Sequence, residues 1–296
     1  MTNYRGLSAQ DLEDQYDLVG RRSDFQTSIV ENWLERSEAF RNIPVAELNL
    51  SFGDDPRDLV DLFSGGNKDA PLLVFLHGGY WQRGSKDMYS FIAEPFVKHG
   101  ISVAVADYNL CPSVRVGDIS KQMHRLMIWL WQNAGHYDYS ADKICLSGAS
   151  AGGHLTAMLL SSDWTEFGAG LPRNLIDSAI LISGVYDMEP IRLSSINNAL
   201  DLNQAESLQQ SPLFKIQPFN TRQLVAVGGA ETDEFLRQSS TYCSKFRTSE
   251  REIDLHIDTD VDHFDILNSW TNDSTEFFRK SCALITGAPG TGRVVR

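Results

Sequence analysis

The sequence is short of cysteine, of positive charge and of long apolar runs, and each shortage closes off a class of protein. Four cysteines in 296 residues, Cys111, Cys145, Cys243 and Cys282, are widely spread with no C-x-x-C pair. Neither a disulfide framework nor a thiolate zinc site is indicated, and no metal or other cofactor is expected. Cys111 follows an apolar run but has no base beside it in sequence, which argues against a nucleophilic role. The 26 Lys and Arg residues are outnumbered by 39 Asp and Glu, a net charge of −13, which argues against nucleic acid or an anionic membrane surface as a partner. No uninterrupted apolar stretch approaches the ~20 residues of a membrane span, and Met-Thr-Asn-Tyr-Arg at the N-terminus lacks an apolar signal core. The expectation is a cytoplasmic protein.

What the chain does have is a serine framed by glycines directly after a short apolar run. Gly148-Ala-Ser150-Ala-Gly152 follows the strand-like Lys143-Ile-Cys-Leu-Ser147 and precedes Leu155, Met158 and Leu159 at helical spacing. A G-x-S-x-G in that setting is a strand-to-helix turn too tight for side chains at its flanks. It exposes the Ser150 hydroxyl and leaves the Ala151 amide free to donate to a reaction intermediate, a geometry suited to acyl transfer.

Along the chain, residues 1–43 carry many charges and scattered aromatics, and 23–41 place Phe25, Ile29, Val30, Trp33 and Leu34 near helical spacing with Ser23 as a cap. This reads as an N-terminal helical appendage, packed on the main domain and serving in part as a lid. Alternating segments at 45–52 and 57–63, separated by Gly53-Asp-Asp-Pro56, read as a hairpin. Then the pattern changes to nearly all-apolar runs at 72–76, 101–106, 144–146, 179–182 and 224–227, with helical stretches near 87–99, 119–134, 151–161, 232–248 and 265–286. Buried strands alternating with amphipathic helices specify a doubly wound, mostly parallel α/β sheet. Residues 186–219 break that rhythm with Pro190, Pro212 and Pro218 and read as a lid insertion in a domain spanning 44–286; 287–296 read as a flexible tail.

The remaining chemistry follows from chain order. His77-Gly-Gly-Tyr-Trp81 follows the first fully apolar strand, and a glycine-rich loop there can bring the Gly79 and Tyr80 amides to an oxyanion beside Ala151, with Gly78 allowing the turn. His77 is assigned to holding that loop. In this type of fold the order is serine, acid, histidine. Of seven histidines, His99, His124 and His136 precede the serine, His154 lies on the helix directly after it, and His256 sits within a strand-like segment. His263, in the loop Asp260-Val-Asp-His-Phe-Asp265, is the candidate base. For the acid, Glu231, Asp233 and Glu234 compete in the loop after 224–227, with Asp187 a more distant rival. Glu231 is nearest the strand end, and the other two suit the first turn of the next helix.

Together, His77-Gly-Gly-Tyr-Trp81, Gly148-Ala-Ser-Ala-Gly152, Gly228-Gly-Ala-Glu-Thr-Asp-Glu-Phe-Leu-Arg-Gln-Ser239 and Asp262-His-Phe264 resemble the arylformamidase (kynurenine formamidase) group of α/β-hydrolases, near the hormone-sensitive-lipase-like esterases. The resemblance covers most of the chain from about residue 45 and implies an α/β-hydrolase fold, hydrolysis of an aryl amide, and Glu231 as the acid. The group more often has aspartate there, a departure that points toward related aryl amides such as N-acylanthranilates beside N-formylkynurenine. Tyr80-Trp81 stand where a third glycine and a small residue are usual, and the resemblance makes Trp81 a candidate wall for an aromatic substrate, together with Tyr16 and Trp33. A broad carboxylesterase would use the same machinery, and a catalytically dead binding module is the reading from another class. The assembly state is open, a homodimer being one candidate.

Overall fold

The computed structural model of the protein describes residues 4–44 and 46–288. Eight strands form one sheet: β1 (Ala46–Ser51), β2 (Leu59–Phe63), β3 (Ala70–Leu76), β4 (Ser102–Ala106), β5 (Tyr139–Ala149), β6 (Ser178–Ile182), β7 (Arg222–Gly228) and β8 (Ile253–Asp258). Their order is β1-β2-β4-β3-β5-β6-β7-β8; β1–β2 and β2–β4 are antiparallel and every later pair is parallel. The central strands are buried on both faces, as their continuous apolar runs require. One face packs against the helices Val116–Asn133, Ala151–Leu159 and Asp233–Phe246 through residues such as Met123, Leu155 and Phe235. The other packs on the N-terminal helical segment and Glu276–Thr286 through Ile29, Trp33, Phe91 and Phe277. This is the doubly wound sheet the alternation specifies, in the α/β-hydrolase arrangement.

Three elements differ from the sequence reading. The N-terminal helix near 23–41 is a π-helical turn, Phe25–Glu31, running into Asn32–Arg41, and it starts after Asp24, not Ser23. Ahead of it lies a helix that hydropathy does not reveal, Ala9–Tyr16, whose start is fixed by a reciprocal capping box between Ser8 and Asp11. The expected helix 265–286 is two, Asp265–Trp270 and Glu276–Thr286. Between them the Asn272 side chain accepts the Ser274 amide, and the Thr275 hydroxyl donates to the Asn272 carbonyl and accepts the Phe278 amide, local bonds that compete with continued helix. The insertion between β6 and β7 holds four short helical turns, starting at Glu189, Asn197, Gln204 and Pro212. The hairpin's Val45 and most of the expected tail (289–296) lie outside the described residues.

A buried charge cluster ties the β1–β2 edge to the helices. Asp61 on β2 is fully buried and sits 3.0 Å from Lys86 Nζ and 2.8 Å from Arg41 Nη1. Its Oδ1 also accepts the amide of Asn49, held at φ +57° where the β1–β2 register shifts. Lys86 Nζ itself donates to Asn49 Oδ1 at 2.7 Å. Removing Asp61 takes away the one buried counter-charge of Lys86 and leaves its ammonium only the exposed carboxylate of Asp87, 2.7 Å away, so Asp61→Ala is expected to cost about 2 kcal/mol in urea unfolding. The apolar double variant Asp61→Leu/Lys86→Met should recover most of that; a double variant as unstable as Asp61→Ala would show that the charges themselves are not at issue.

Candidate active site

β5 ends in a turn whose apex, Ser150, has φ +56° and ψ −116°, a conformation few non-glycine residues adopt. The turn holds because its flanks are glycine. A Cβ on Gly152 would lie 1.9 Å from the Leu76 carbonyl oxygen, and one on Gly148 would lie 2.3 Å from that of Gly152. The backbone of the serine is pinned by its amide donating to Ile182 at 2.8 Å.

The loop after β3 passes beside this turn, Gly78 lying in contact with Ser150. Three successive residues, Gly79, Tyr80 and Trp81, have φ of +114°, +51° and +58°, so the loop folds sharply back. His77 holds it as expected: its Nδ1 donates to the Gly78 carbonyl at 2.7 Å, and its ring stacks on Tyr108 at 4.1 Å. Arg57 braces the far side through the carbonyls of Tyr108 and Gly84 and the carboxylate of Asp107. Among the described residues, the amides of Gly79, Tyr80 and Ala151 find no acceptor within the protein, so they are free to meet a developing oxyanion.

His263 and Glu231 meet on the other side. His263 Nδ1 lies 2.6 Å from Glu231 Oε2, and both side chains are buried. The other carboxylate oxygen of Glu231 accepts the Gly228 amide at 2.8 Å and the hydroxyl of Ser183. Of the candidate acids, Glu231 is thus the carboxylate that pairs with His263. Asp233 is exposed, Glu234 pairs with Arg237 and accepts from Tyr16, and Asp187 accepts from Tyr4.

Ser150, Gly79, Tyr80 and His263 line one cavity of about 600 Å³. Tyr16, Phe25, Trp33, Tyr80, Tyr89 and Phe264 give its walls an aromatic share, beside aliphatic side chains such as Leu18, Val30 and Leu267 and the carboxylates of Glu13, Asp14 and Asp17. Tyr16 and Trp33, the aromatics expected beside a substrate ring, are among the lining residues. Trp81 is not, and that expectation is corrected. The backbone reversal at Tyr80 and Trp81 sends the Tyr80 side chain to the cavity and turns the Trp81 ring into the core, where it is wholly buried. Tyr80 Oη donates to the Tyr16 carbonyl at 2.8 Å. Phe25, Tyr89, Phe264 and Ser183 are parts of the site that sequence reasoning missed. Only Ser183-Gly184 at the end of a strand left a sequence signal. His99, His124, His136 and His256 lie outside the cavity lining. Burial pushes the Cys111 thiol up to about 11, consistent with no nucleophilic role.

Sheet, turn and paired imidazole are those of an α/β-hydrolase, and comparison with known proteins agrees. The BD-FAE family matches residues 60–227. Kynurenine formamidase of Salmo salar is 30% identical over 280 residues, covering 90% of this chain and 93% of that one, and that of Danio rerio is 28% identical over 286 residues, 93% and 95%. A crystal structure from Silicibacter sp. TM1040 with a provisional thioesterase designation superposes with a TM-score of 0.80 at 28% identity, covering 93% of this chain and 98% of that one. The chain belongs to the BD-FAE family, as an arylformamidase-like α/β-hydrolase enzyme.

The partner that takes Trp81 has its own consequence. The indole N–H of Trp81 donates to His154 Nδ1 at 3.3 Å, and His154 Nε2 lies 2.7 Å from the Gln210 carbonyl. One nitrogen must accept and the other donate, so the ring is held as the neutral Nε2–H tautomer. Burial lowers its pKa from 6.5 to about 4, against the opposing effect of the Gln210 bond. Because the folded value is depressed, the unfolded chain takes up the proton first, and stability falls as pH drops from about 6.5 to about 4. The full loss is about 3 kcal/mol. Unfolding titrations at the two ends of that interval should show His154→Gln, which carries no titratable ring, losing measurably less than the parent. An equal loss in both proteins would refute this source of acid sensitivity.

Proposed function

We propose that the enzyme cleaves an amide of an aromatic amine, N-formyl or N-acyl, through an acyl-enzyme. The observation carrying this reading is one cavity on which a serine at a strained turn, free backbone donors and a carboxylate-anchored imidazole converge between aromatic walls. In this reading Ser150 Oγ attacks the acyl carbon as His263 takes its proton. Glu231 keeps His263 in the tautomer that leaves Nε2 free to accept, and balances the imidazolium that forms. The amides of Gly79, Tyr80 and Ala151 hold the oxyanion. Collapse breaks the C–N bond while His263 protonates the leaving amine, and water repeats the sequence to release the short acid.

The aromatic walls suit the ring of the leaving amine. Arg83, the one Lys or Arg lining the cavity among the described residues, suits a carboxylate such as that of kynurenine or anthranilate. Kynurenine formamidases among the relatives support the same substrate class. The N-terminal segment and the 186–219 insertion serve as the lid, since Tyr16, Trp33, Ser195 and Ile196 all line the cavity.

Ser150→Ala should lower kcat/KM by more than ~1,000-fold with an unchanged melting curve, and Glu231→Gln should lower kcat by roughly 100- to 10,000-fold. Retention of activity within about tenfold in the serine variant would sink the mechanism. Substrate class is read from N-formylkynurenine, N-acetylanthranilate and p-nitrophenyl acetate. An aryl amide hydrolysed at least as efficiently as the intrinsically more reactive ester supports the proposal. Turnover of the ester alone would move the enzyme to the broad carboxylesterases.

A further inference from the structure

The N-terminal segment does more than cover the cavity: it is bonded to all three loops that carry the proposed machinery. Tyr16 accepts from Tyr80 on the oxyanion loop through its carbonyl, at 2.8 Å. Gln15 accepts from Thr232 Oγ1 and from the Glu234 amide next to the acid, at 2.8 and 3.0 Å. The third attachment, to the loop of His263, is the strongest by charge. Arg22 Nη1 lies 2.8 Å from Asp262 Oδ2 and 2.6 Å from Asp265 Oδ2, so a single nitrogen bridges carboxylates on both sides of the histidine. Three residues along from Arg22, Phe25 packs on Phe264 with ring centroids 4.7 Å apart.

The carboxylates that Arg22 grips are themselves built into the turn. Asp262 Oδ1 accepts the amides of Phe264 and Asp265 at 2.9 Å each, and Asp265 Oδ1 accepts from Asn268 at 3.0 Å. A guanidinium holding both therefore fixes the backbone of residues 262–265, the only covalent tether of the imidazole. We infer that Arg22 is a positioning residue for His263, acting through Asp262 and Asp265, so that the enzyme is competent only with its N-terminal segment docked.

Two independent consequences follow for a chain lacking the Arg22 charge. The loop is less well held, and misplacement of a catalytic group by about 1 Å costs on the order of 100-fold in rate. Asp262 and Asp265 are also left without a counter-charge next to the imidazole, and nearby anions favour the imidazolium. The charged and titratable groups facing His263 are Glu231 on the acid loop, Asp262 and Asp265 beside it, and Arg22 with its third partner Asp24. Across the cavity stand Tyr80, Arg83, Glu13, Asp14 and Asp17. Of these, Arg22 and Arg83 are the cations, so Arg22→Ala must raise the pH at which the base becomes free.

The inference rests on His263 being the base, so the experiment carries both variants. Full-length parent, Arg22→Ala, Arg22→Lys and His263→Ala are assayed with p-nitrophenyl acetate across pH, with circular dichroism and melting curves as the check on folding. The expected result for Arg22→Ala is a kcat lowered roughly 10- to 100-fold with KM changed less than about threefold. The acid limb of its kcat/KM profile should also move upward in pH by about half a unit or more. Arg22→Lys, which keeps the charge, should return the acid limb to the parental pH and recover part of kcat. If Arg22→Ala matches the parent in rate and profile while His263→Ala is inactive, the role of Arg22 is overturned and that of His263 stands. A uniform loss in Arg22→Ala with no movement of the limb, or no rescue by lysine, also overturns it, since a merely structural contact would behave that way. An active His263→Ala removes the proposed function itself. Should Arg22→Ala fail to fold, the same profile is read from Asp265→Asn, which removes one of the two anions and should move the acid limb downward; an unmoved limb overturns the inference.

Discussion

The arrangement depends on how closely the helix Ala151–Leu159 approaches the sheet. At Gly152 the backbone lies so near the end of β3 that even a methyl group would meet the Leu76 carbonyl oxygen. That approach forces the reversal at Ser150, whose positive φ is strained for any side chain. It also brings the first residues after β3 alongside the serine, so that the turn and the glycine-rich loop share one boundary. A parallel sheet makes this meeting automatic: β3 and β5 are neighbours, with Leu76 in register with Gly148, so both loops emerge at the same carboxyl edge. In open α/β sheets that edge is where ligands bind.

Rigidity at this edge comes from side chains bonded to loop backbone and to one another. Arg57 and His77 lock the glycine-rich loop after β3, while Ser183 and the Gly228 amide lock Glu231. By contrast, the N-terminal attachments are made by a segment outside the sheet, through half-exposed carboxylates and tyrosine hydroxyls. Salt weakens exposed ion pairs far more than buried ones. The cavity thus has a floor built from the sheet edge and a wall built from the N-terminal segment, whose charged attachments are the salt-sensitive ones.

Much of this was legible in the sequence because strand burial and turn chemistry are local properties. Runs such as 72–76 and 179–182 are apolar since both faces of a parallel strand are covered, and Gly148 and Gly152 are glycine since their Cα atoms are crowded. Histidine and acid are not local in this sense: their assignment to His263 and Glu231 leaned on the chain order of the fold and on the family resemblance. The helix Ala9–Tyr16 stayed hidden because it buries only Leu12 and Tyr16, too few for a periodic signal. Trp81 misled because side-chain direction after a positive φ is not a sequence property. In an ordinary loop neighbouring residues can share a surface; here two consecutive left-handed residues place Tyr80 on the cavity and Trp81 in the core. The direction of Arg22 was equally unreadable, since its partners lie 240 and 243 residues away.

The glutamate at position 231 has a physical explanation in its surroundings. Glu231 follows the Gly228 it bonds by only three residues, so its side chain must curl back toward the end of β7 while still reaching His263. One carboxylate oxygen takes the Gly228 amide and the Ser183 hydroxyl, leaving the other for the imidazole. An aspartate, one methylene shorter, could reach the histidine only if the backbone of residues 229–231 moved toward it, and that backbone is pinned: the Gly229 amide donates to Asp258 at 2.8 Å and the Ala230 amide to Val261 at 3.0 Å. Gly228 is crowded against the same Val261 carbonyl, which a Cβ would approach to 2.4 Å. With the loops of Glu231 and His263 bonded to each other and to the end of β8, the extra methylene spans a gap that the backbone cannot close. Ser183, presented at a positive φ of 48°, then holds the longer and otherwise freer side chain in a single orientation. The glutamate side chain is therefore held at both carboxylate oxygens, as the chemistry proposed at Ser150 requires.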